Sequence, residues 1–340
     1  MIHKIGLIGF GTVGQGITEI LQNKKEYLKE KYGFEYRIVA VADFAYGNVY
    51  NPQGLDVDLM LRQAANKEKF TQDLTSLSTL ELIAGSEVTT WCELTYTDLQ
   101  TGGPAVEHVR TALKAGKNIV TSNKGPAALF YDEMTALAAG NNVRFLIEGT
   151  VMAGTPVLNL AEGPLAGNTI TKAYGILNGT TNYMLSEMEK GMAYEEVLKI
   201  AQQLGYAEAD PTGDVEGYDA RAKVCILANV VMKAGIKLQD VAVEGITKIT
   251  PADIERAKKE NKRWKLIGSV ELKDDGSVDA FVKPMMVEMS HPLAGVMGAT
   301  NALTFSTDLL HDVTIVGPGA GKIETGFSIL TDILRIHNGC

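Results

Sequence analysis

The residues with the clearest chemical potential lie at positions 204–223, in the sequence LGYAEADPTGDVEGYDARAK. Acidic side chains are concentrated there in a loop rich in glycine and proline, which runs into a helical pattern. The acidic residues are Glu208, Asp210, Asp214, Glu216 and Asp219. A basic residue, Lys223, follows four positions after the last of them.

The position of Lys223 on its predicted helix decides what this lysine could do. At 100° per residue, a helix over 215–234 places Lys223 and Asp219 on one stripe, whose continuation through Ile226, Leu227 and Val230 is apolar. A lysine at the edge of a buried stripe is costly unless it is paired, and Asp219 stands at the favourable preceding position. Such a pair is suited to proton transfer, but the same spacing equally suits a structural ion pair.

A glycine pattern near the N-terminus points to a dinucleotide. It follows an apolar run (residues 5–10) and opens an amphipathic helix predicted over 13–30. The six positions are Gly9, Phe10, Gly11, Thr12, Val13 and Gly14. After a strand and before a helix, such glycines allow a tight turn, close approach to a pyrophosphate and close helix–strand packing. A purely structural turn is the alternative.

Asp43 bears on the choice of nucleotide. It ends the second predicted strand, over 36–43, where an acidic side chain would bond a ribose 2′-hydroxyl and repel a 2′-phosphate. The residues that follow it up to Tyr50 include no Arg or Lys. We therefore expect NAD to be favoured over NADP, although an aspartate that only initiates a turn would fit the pattern as well.

The order of elements predicts two domains and a return segment. Residues 1–150 alternate apolar strand-like runs with helical patterns, as in a Rossmann-type, doubly wound parallel α/β sheet. Residues 151–310 mix helices and strands, which predicts a second α+β domain for substrate binding and dimerisation. A strand over 312–317 and a helix to about residue 336 are expected to close the chain on the nucleotide domain, so we assign 311–340 to that return.

Composition excludes several classes of function. The net charge is −9 and no basic run compensates for it, so nucleic-acid binding is not expected. The longest apolar stretch, 224–232, is too short to cross a membrane. The three cysteines, Cys92, Cys225 and Cys340, lack a CxxC spacing, and the histidines show no zinc-binding pattern. We expect a cytoplasmic protein.

The segment 201–223, of the form A-x3-G-Y-A-x2-D-P-x2-D-V-x-G-x-D-x3-K, resembles the signature of homoserine dehydrogenases. Further stretches follow in the family's order: the glycine pattern, Ser122-Asn123-Lys124, LNGTTNYML at 177–185, HPLA at 291–294 and GPGAG at 317–321. The resemblance therefore extends over nearly the whole chain.

The resemblance implies roles for the charged residues. Lys223 resembles the family's proton donor and acceptor, and Asp219 the residue that orients the substrate beside it. Glu208 and Asp214 resemble the carboxylates near the substrate's amino group. Lys124 lies in the family's Asn-Lys motif and is expected between nicotinamide and substrate, whereas spacing alone would make it a solvent-exposed lysine at a strand end.

The resemblance also implies contacts made by small and backbone groups. Gly179 and Thr180 match the element that lines the substrate pocket, and Thr95 and Gly321 match positions close to the nicotinamide nucleotide. A monovalent cation site, expected to bind sodium, is implied at four further residues: Glu148, Val151, Ala153 and Thr155.

The resemblance implies a short, monofunctional enzyme that interconverts L-homoserine and L-aspartate 4-semialdehyde with NAD or NADP, in the biosynthesis of threonine, methionine and isoleucine. It also implies a homodimer formed through the second domain. We expect no kinase domain before this chain and no regulatory domain after it. The alternatives are a Rossmann oxidoreductase acting on another amino acid and a nucleotide-sensing module without chemistry.

Overall fold

The computed structural model describes residues 2–339, so Cys340 lies outside the described residues. It forms two compact units: the first contains the residues up to Gly154 and those from Gly321 onward, and the second is Thr155–Ala320. The predicted boundaries, after residues 150 and 310, differ from these divisions. Among the described residues, no helix is long and apolar enough to cross a membrane.

Both units contain a six-stranded sheet. The strands, in chain order, are β1 (Ile2–Ile8), β2 (Glu35–Ala42), β3 (Val49–Tyr50), β4 (Thr90–Glu93), β5 (Asn118–Thr121), β6 (Phe145–Leu146), β7 (Ile170–Ile176), β8 (Ala242–Val243), β9 (Lys262–Leu272), β10 (Val278–Glu288), β11 (Thr300–Thr307) and β12 (His311–Pro318).

The helices vary from one turn to more than four turns. In chain order they are α1 (Thr12–Asn23), α2 (Lys25–Tyr32), α3 (Val57–Ala65), α4 (Thr79–Gly85), α5 (Gly103–Lys114), α6 (Lys124–Leu129), α7 (Tyr131–Gly140), α8 (Val157–Glu162), α9 (Gly179–Met188), α10 (Tyr194–Gln203), α11 (Thr212–Val215), α12 (Tyr218–Val231), α13 (Pro251–Lys259) and α14 (Lys322–His337).

The first unit confirms the predicted doubly wound fold. Its strand order is β3-β2-β1-β4-β5-β6, and all pairs are parallel except β2 with the short β3. The sheet is covered on two sides: Ile17 of α1 and Ile329 of α14 pack in one apolar core, and Leu82 of α4 and Val109 of α5 pack in another. The chain reverses its winding at β1, and ligands bind at such a switch point in open α/β sheets.

The first helix is shorter than predicted. The pattern over 13–30 is divided at Lys24, whose backbone (φ −108°, ψ 9°) ends α1 before α2 begins. Among the described residues α2 buries only Leu28, so its outward faces have no packing that would keep it in line with α1. The sequence pattern also missed α3 and α4, which follow the turn-rich segment after β2.

Helices α1 and α14 approach each other through glycine. A Cβ at Gly16 would lie 2.2 Å from the carbonyl oxygen of Lys322, and one at Gly326 would lie 2.8 Å from the amide nitrogen of Ile17. Both distances are below van der Waals contact, so any larger residue would separate the helices. The closing helix α14 therefore belongs to the first unit, as the pattern predicted.

The second unit is built on a sheet of order β12-β11-β7-β9-β10-β8. All neighbours are antiparallel except β8 with β10. Strand β12, predicted to close the chain on the nucleotide domain, instead pairs with β11 along eight residue pairs from Thr300–Pro318 to Thr307–His311. Helices α9, α12 and α13 pack against this sheet.

One helix of the second unit differs from its predicted bounds. The helix predicted over 215–234 starts at Tyr218, after a break at Gly217, whose φ of +82° favours glycine. The strand that follows it, β8, has only two residues. A Cβ at Gly245 would lie 2.2 Å from the carbonyl oxygen of Val215, so this segment packs as a turn against α11.

Lys265 of β9 is fully buried and joins α9 to the loop before β11. Its Nζ donates to Oδ1 of Asn182 (2.8 Å) and to the carbonyl oxygen of Val296. The amide of Asn182 donates in turn to the carbonyl oxygens of Gly298 (2.9 Å) and Thr300 (3.0 Å). Burial lowers the pKa of Lys265 to about 8. This network fixes α9, whose N-terminus belongs to the candidate site below.

A histidine pair in the first unit generates a pH prediction. His3 Nε2 lies 2.9 Å from His337 Nδ1, and His337 Nε2 lies 2.9 Å from the carbonyl oxygen of Tyr32. The two rings cannot keep this chain of hydrogen bonds once both are protonated, because no acceptor nitrogen remains. Burial and the neighbouring His337 lower the pKa of His3 below its usual 6.5.

We expect the melting temperature to fall as the pH decreases from about 7.5 to about 5.5. The unfolded chain takes up a proton below the ordinary histidine pKa while folded His3 resists it, so this stability is complete above that pKa and decreases below it. His3→Gln should reduce the pH dependence. His311→Asn, an exposed control at a positive φ that asparagine tolerates, should leave it unchanged. Equal slopes in wild type and His3→Gln would argue against the pair as the cause.

Candidate functional site

The buried ammonium of Lys223 is the centre of the candidate site in the second unit. Only 6% of this residue is exposed. Its Nζ donates to Oδ2 of Asp219 and to the carbonyl oxygen of Leu177, each at 2.7 Å. Asp219 lies one helical turn before it on α12, and Leu177 directly follows β7. The charge is thus balanced by a carboxylate and a backbone dipole, as a buried ammonium requires.

Asn178 connects this pair to a second carboxylate. Its Nδ2 donates to Oδ1 of Asp214 (2.7 Å) and to Oδ2 of Asp219 (3.0 Å). Its Oδ1 accepts the backbone N–H of Thr181 at 2.9 Å and so caps α9. Sequence reasoning missed this residue, although an asparagine directly before a helical pattern is a recognisable N-cap signal.

The Asp214 carboxyl group lies in an environment that disfavours its charge. Burial, and then the neighbouring Asp219, raise the pKa of Asp214 above its usual value, while the hydrogen bond from Asn178 and the charge of Lys223 oppose this shift. One ammonium therefore faces two carboxyl groups. The arrangement has an excess of negative charge, which suits a ligand that brings a positive one.

The N-terminus of α9 completes this group. A Cβ at Gly179 would lie 2.6 Å from the carbonyl oxygen of Ala299, so only glycine fits there. The Thr180 hydroxyl donates to the carbonyl oxygen of Tyr206 at 2.5 Å and thereby joins α9 to the 204–211 loop. The structure thus brings together five predicted residues of the second unit: Lys223, Asp219, Asp214, Gly179 and Thr180.

Glu208 is not brought into this group. Its side chain is exposed and makes no hydrogen bond or ion pair within residues 2–339, and only its backbone carbonyl is used, by Gln202 Nε2 (3.1 Å). Its predicted substrate role stays a prediction.

The glycine loop of the first unit has the geometry that a pyrophosphate needs. Gly9 has a φ of +94°, and a Cβ at Gly14 would lie 2.4 Å from the carbonyl oxygen of Gly9. In contrast, a Cβ at Gly11 would meet nothing within 4 Å. No described side chain caps α1, which begins with Thr12 and Val13, so the N–H groups of its first turn face this open space. Conformation and packing therefore require glycine at positions 9 and 14 but not at position 11.

Phe10 and Asp43 hold the loop to the end of β2. The ring of Phe10 is buried, and the backbone N–H of this residue donates to Oδ2 of Asp43 at 2.7 Å. The other oxygen, Oδ1, accepts the N–H groups of Ala45 (2.8 Å) and Tyr46 (3.0 Å). Asp43 thus initiates a turn, as the alternative interpretation supposed. A carboxylate has about four acceptor positions, so one is left for a ligand.

Thr95 and Lys124 follow neighbouring parallel strands, β4 and β5. The Thr95 hydroxyl donates to Oε1 of the buried Glu93 at 2.5 Å, and the Asn123 amide donates to the Thr95 carbonyl oxygen at 3.2 Å. The backbone N–H of Lys124 donates to Oγ1 of Thr97 at 3.3 Å. The loops after β4 and β5 are therefore bonded together at the carboxyl edge of the sheet, where ligands bind in this fold.

The predicted cation residues lie in a strained segment. Glu148 is buried, and its N–H donates to Oδ2 of Asp332 at 2.9 Å. The backbone beyond Val151 is left-handed at Met152 (φ +57°) and Ala153 (φ +47°), a conformation that costs free energy in non-glycine residues.

The fourth predicted cation residue, Thr155, and the predicted nucleotide residue Gly321 each begin a segment of the chain where it passes from one unit to the other. Thr155 begins the second unit, where its hydroxyl donates to the carbonyl oxygen of Pro318 at 3.0 Å. Gly321 precedes α14 in the first unit with a φ of +138°, where a Cβ would collide with Oε2 of Glu324 at 2.0 Å.

Comparison with known proteins identifies the family of the chain. A family model described as homoserine dehydrogenase matches residues 156–334, and one described as the homoserine dehydrogenase NAD binding domain matches residues 9–148. The chain belongs to the homoserine dehydrogenase family. It is similar over 98% of its length to the NAD(+)-dependent homoserine dehydrogenase of Pseudomonas canavaninivorans, at 44% identity over 96% of that protein. The homoserine dehydrogenase of Methanocaldococcus jannaschii is 41% identical, with 98% of each chain covered.

Solved structures of homoserine dehydrogenases have the same fold. The enzyme from Thiobacillus denitrificans superimposes with a TM-score of 0.86 at 32% identity, over 100% of this chain and 74% of that one. A hyperthermophilic archaeal homoserine dehydrogenase in complex with NADPH has a TM-score of 0.85 at 28% identity, over 100% and 99%. The chain is thus an NAD(P)-dependent oxidoreductase acting on a CH–OH group, and no comparison favours the two alternative functions.

The glycine loop yields a prediction that separates access from packing. We expect Gly11→Ala to fold normally, because its Cβ meets nothing, yet to weaken NADH binding by about tenfold or more, because the Cβ lies where the pyrophosphate approaches. Gly14→Ala should instead lower the melting temperature, because its Cβ would collide with the Gly9 carbonyl. Calorimetric titration and thermal unfolding measure the two effects, and an unchanged NADH affinity in Gly11→Ala would place the pyrophosphate elsewhere.

Proposed function

We propose that this chain interconverts L-homoserine and L-aspartate 4-semialdehyde with Lys223 as the proton donor and acceptor. The observation that carries the proposal is the buried ammonium with two fixed acceptors, Asp219 Oδ2 and the Leu177 carbonyl oxygen. A lysine ammonium has three N–H donors, so one remains to meet a substrate oxygen.

The proton is transferred through this third N–H group of Lys223. In reduction the Lys223 ammonium gives a proton to the aldehyde oxygen, which becomes the hydroxyl of the product. In oxidation the neutral amine takes the hydroxyl proton back, and the nearby Asp219 stabilises the ammonium that results. The nicotinamide, when bound, supplies or accepts the hydride at the carbon. The Leu177 carbonyl fixes Nζ in place, so the transfer needs no rearrangement of the lysine.

Asp214 is proposed to bind the substrate's ammonium group. With Asp219 neutralised by Lys223, the Asp214 carboxyl is the excess negative group of this cluster, and Asn178 holds it at 2.7 Å. Binding a cation beside Asp214 would favour its ionised form, opposing the effect of burial. Gly179 and Thr180 would contribute the first turn of α9 to the substrate site, and Glu208 a second carboxylate from its exposed loop.

The nucleotide is proposed to occupy the first unit through the glycine loop, Asp43 and the loops after β4 and β5. Thr95 would contact the nicotinamide nucleotide there. Its hydroxyl hydrogen is used by Glu93, so Thr95 Oγ1 would accept a hydrogen bond from the ligand. Lys124 is proposed to lie near the nicotinamide, and Gly321 near the nucleotide.

Replacement of Lys223 tests the proton-transfer role. Lys223→Met keeps much of the side-chain volume, and we expect kcat to fall by about 10²–10⁴-fold, the usual contribution of a general acid or base. The affinity for NADH should be unchanged. Lys172→Met, at the partly exposed Glu271 ion pair of the same unit, is the matched control and should retain wild-type kcat. Wild-type turnover in Lys223→Met would reduce the lysine to a structural partner of Asp219.

We also propose a preference for NAD over NADP. The carboxylate of Asp43 has about one acceptor position left, which can take one ribose hydroxyl, and its charge would face a 2′-phosphate at short range. The relative from Pseudomonas canavaninivorans is named as NAD(+)-dependent, whereas the archaeal structure contains NADPH, so both cofactors occur among similar proteins.

The preference can be measured on Asp43→Asn. Removing the charge should raise the ratio of kcat/KM for NADPH to that for NADH by about tenfold, the usual effect of one like-charge contact. Asp56→Asn removes a charge from the N-cap of α3, where asparagine caps equally well, and should leave the ratio unchanged. Thermal unfolding of both variants separates loss of the turn from loss of charge, and a constant ratio in a folded Asp43→Asn would exclude a ribose contact.

A monovalent cation, sodium, is proposed near Glu148. The support is a buried carboxylate beside a backbone segment with two successive left-handed residues, Met152 and Ala153. The ligands would be the Glu148 carboxylate and carbonyl oxygens from Val151, Ala153 and Thr155. Hard oxygen donors of this kind suit sodium rather than a transition metal. Residues 2–339 hold no cluster of three or more His, Cys, Asp or Glu residues suited to a metal ion.

Assembly as a homodimer through the second unit and a cytoplasmic location complete the proposal. The sheet of that unit leaves Met285 (36%) and Val316 (53%) exposed, which gives a second copy an apolar surface to cover. Cys92 is a buried free thiol, and the described residues contain no disulfide at Cys225, as a reducing compartment favours.

A further inference from the structure

Phe44 is the most exposed large apolar side chain of the described residues. Its exposed fraction is 107%, whereas every other phenylalanine in residues 2–339 is at most 47% exposed. A phenylalanine ring left entirely in water gains nothing for folding, because its burial would contribute about 1.5–3 kcal/mol. Its position therefore calls for a contact that the folded chain does not make by itself.

The exposure of Phe44 is imposed by the turn on which it lies. The N–H of Gly47 donates to the Asp43 carbonyl oxygen at 2.9 Å, and the N–H groups of Ala45 and Tyr46 donate to Oδ1 of Asp43. These bonds enclose residue 44 at the tip of a short turn. The ring therefore points outward from a fixed backbone rather than from a loose loop.

The same turn is attached to the glycine loop through Phe10. Phe10 contributes its N–H to Asp43 and its ring to an aromatic cluster with Tyr46 and Phe70, in which ring centroids lie 5.4–6.4 Å apart. Phe44 is thus held at a fixed place beside the loop proposed to bind the pyrophosphate.

The chemistry of the nucleotide indicates what reaches Phe44. Asp43 is proposed to bond the 2′-hydroxyl of the ribose in the adenosine half. The adenine is attached to C1′ of that ribose, the carbon next to the one that bears the 2′-hydroxyl. The residue after Asp43 is therefore within reach of the base. A flat, uncharged, apolar ring offers nothing to a phosphate, but it is well suited to stack on a neutral aromatic base.

We propose that Phe44 is the platform on which the adenine ring of NAD(H) stacks. The inference rests on the proposed nucleotide site and assigns to it a residue that determines affinity for the adenosine half. Because the ring occupies the place where an NADP-binding chain would need a cation, it also contributes to discrimination against the 2′-phosphate.

Binding of adenosine-containing fragments tests the assignment. ADP-ribose contains the adenine, its ribose and the pyrophosphate but lacks nicotinamide. We expect Phe44→Ala to weaken the binding of both ADP-ribose and NADH by about tenfold, in line with the usual contribution of one stacked base. Tyr27→Ala, at a half-exposed aromatic residue of α2, is the matched control and should bind both ligands like the wild type.

A conservative variant supplies a second, spectroscopic readout. Phe44→Trp should retain ADP-ribose affinity, and its added fluorescence should be quenched by AMP but not by nicotinamide mononucleotide, because only AMP carries the base. The wild-type protein, with Trp91 and Trp264, gives the background signal. Wild-type ADP-ribose affinity in Phe44→Ala, or a Phe44→Trp signal that AMP does not change, would overturn the assignment.

Gly11→Ala distinguishes this failure from failure of the nucleotide site itself. If Gly11→Ala weakens ADP-ribose binding while Phe44→Ala does not, the site is correct and only the Phe44 assignment is wrong. If neither variant changes ADP-ribose affinity, the nucleotide site is wrong and the assignment with it. Retention of wild-type melting temperatures in both variants shows that the folded protein is being compared. We expect it because a Cβ added at Gly11 would meet nothing within 4 Å and the Phe44 ring is fully exposed.

Discussion

The need to stabilise the buried positive charge of Lys223 governs the arrangement of the candidate site in the second unit. The Lys223 ammonium is out of water, so its acceptors must be supplied by the protein in fixed positions. One comes from the same face of α12 and the other from the end of β7, which requires the helix to lie against that strand. The Lys223 ammonium is consequently held by a helix and the end of a strand rather than by a flexible loop.

The carboxylates around this charge are ordered by one amide. Asn178 uses its oxygen to begin α9 and its nitrogen to bridge Asp214 and Asp219, so the start of the helix and the positions of both acids are set by the same side chain. An aspartate there could still cap the helix but would add a third negative charge. The choice of an amide thus follows from electrostatics as much as from capping.

Sequence reasoning succeeded where the interaction is local. The glycine loop and the Lys223–Asp219 pair depend on spacings of a few residues, and the fold of the first unit was predicted from the alternation of strand and helix patterns; the structure contains each of them. It missed Asn178, whose partners are 36 and 41 positions away, because no pattern along the chain records such a distance. The assignment of β12 failed for a different reason, since β12 pairs in a hairpin with the strand directly before it, β11, rather than with the unit that α14 joins.

The close contact of α1 with α14 has a consequence for how the protein is made. The first unit is discontinuous in sequence, because residues 155–320 are synthesised between its main part and α14. Gly16 and Gly326 allow α1 and α14 to pack closely together. Helix α1 therefore lacks this packing partner until the ribosome has translated the whole second unit. The second unit is continuous and has all its residues at an earlier moment. We therefore expect the order of folding during translation to reverse the order of the sequence, in contrast to the usual progression from the N-terminus.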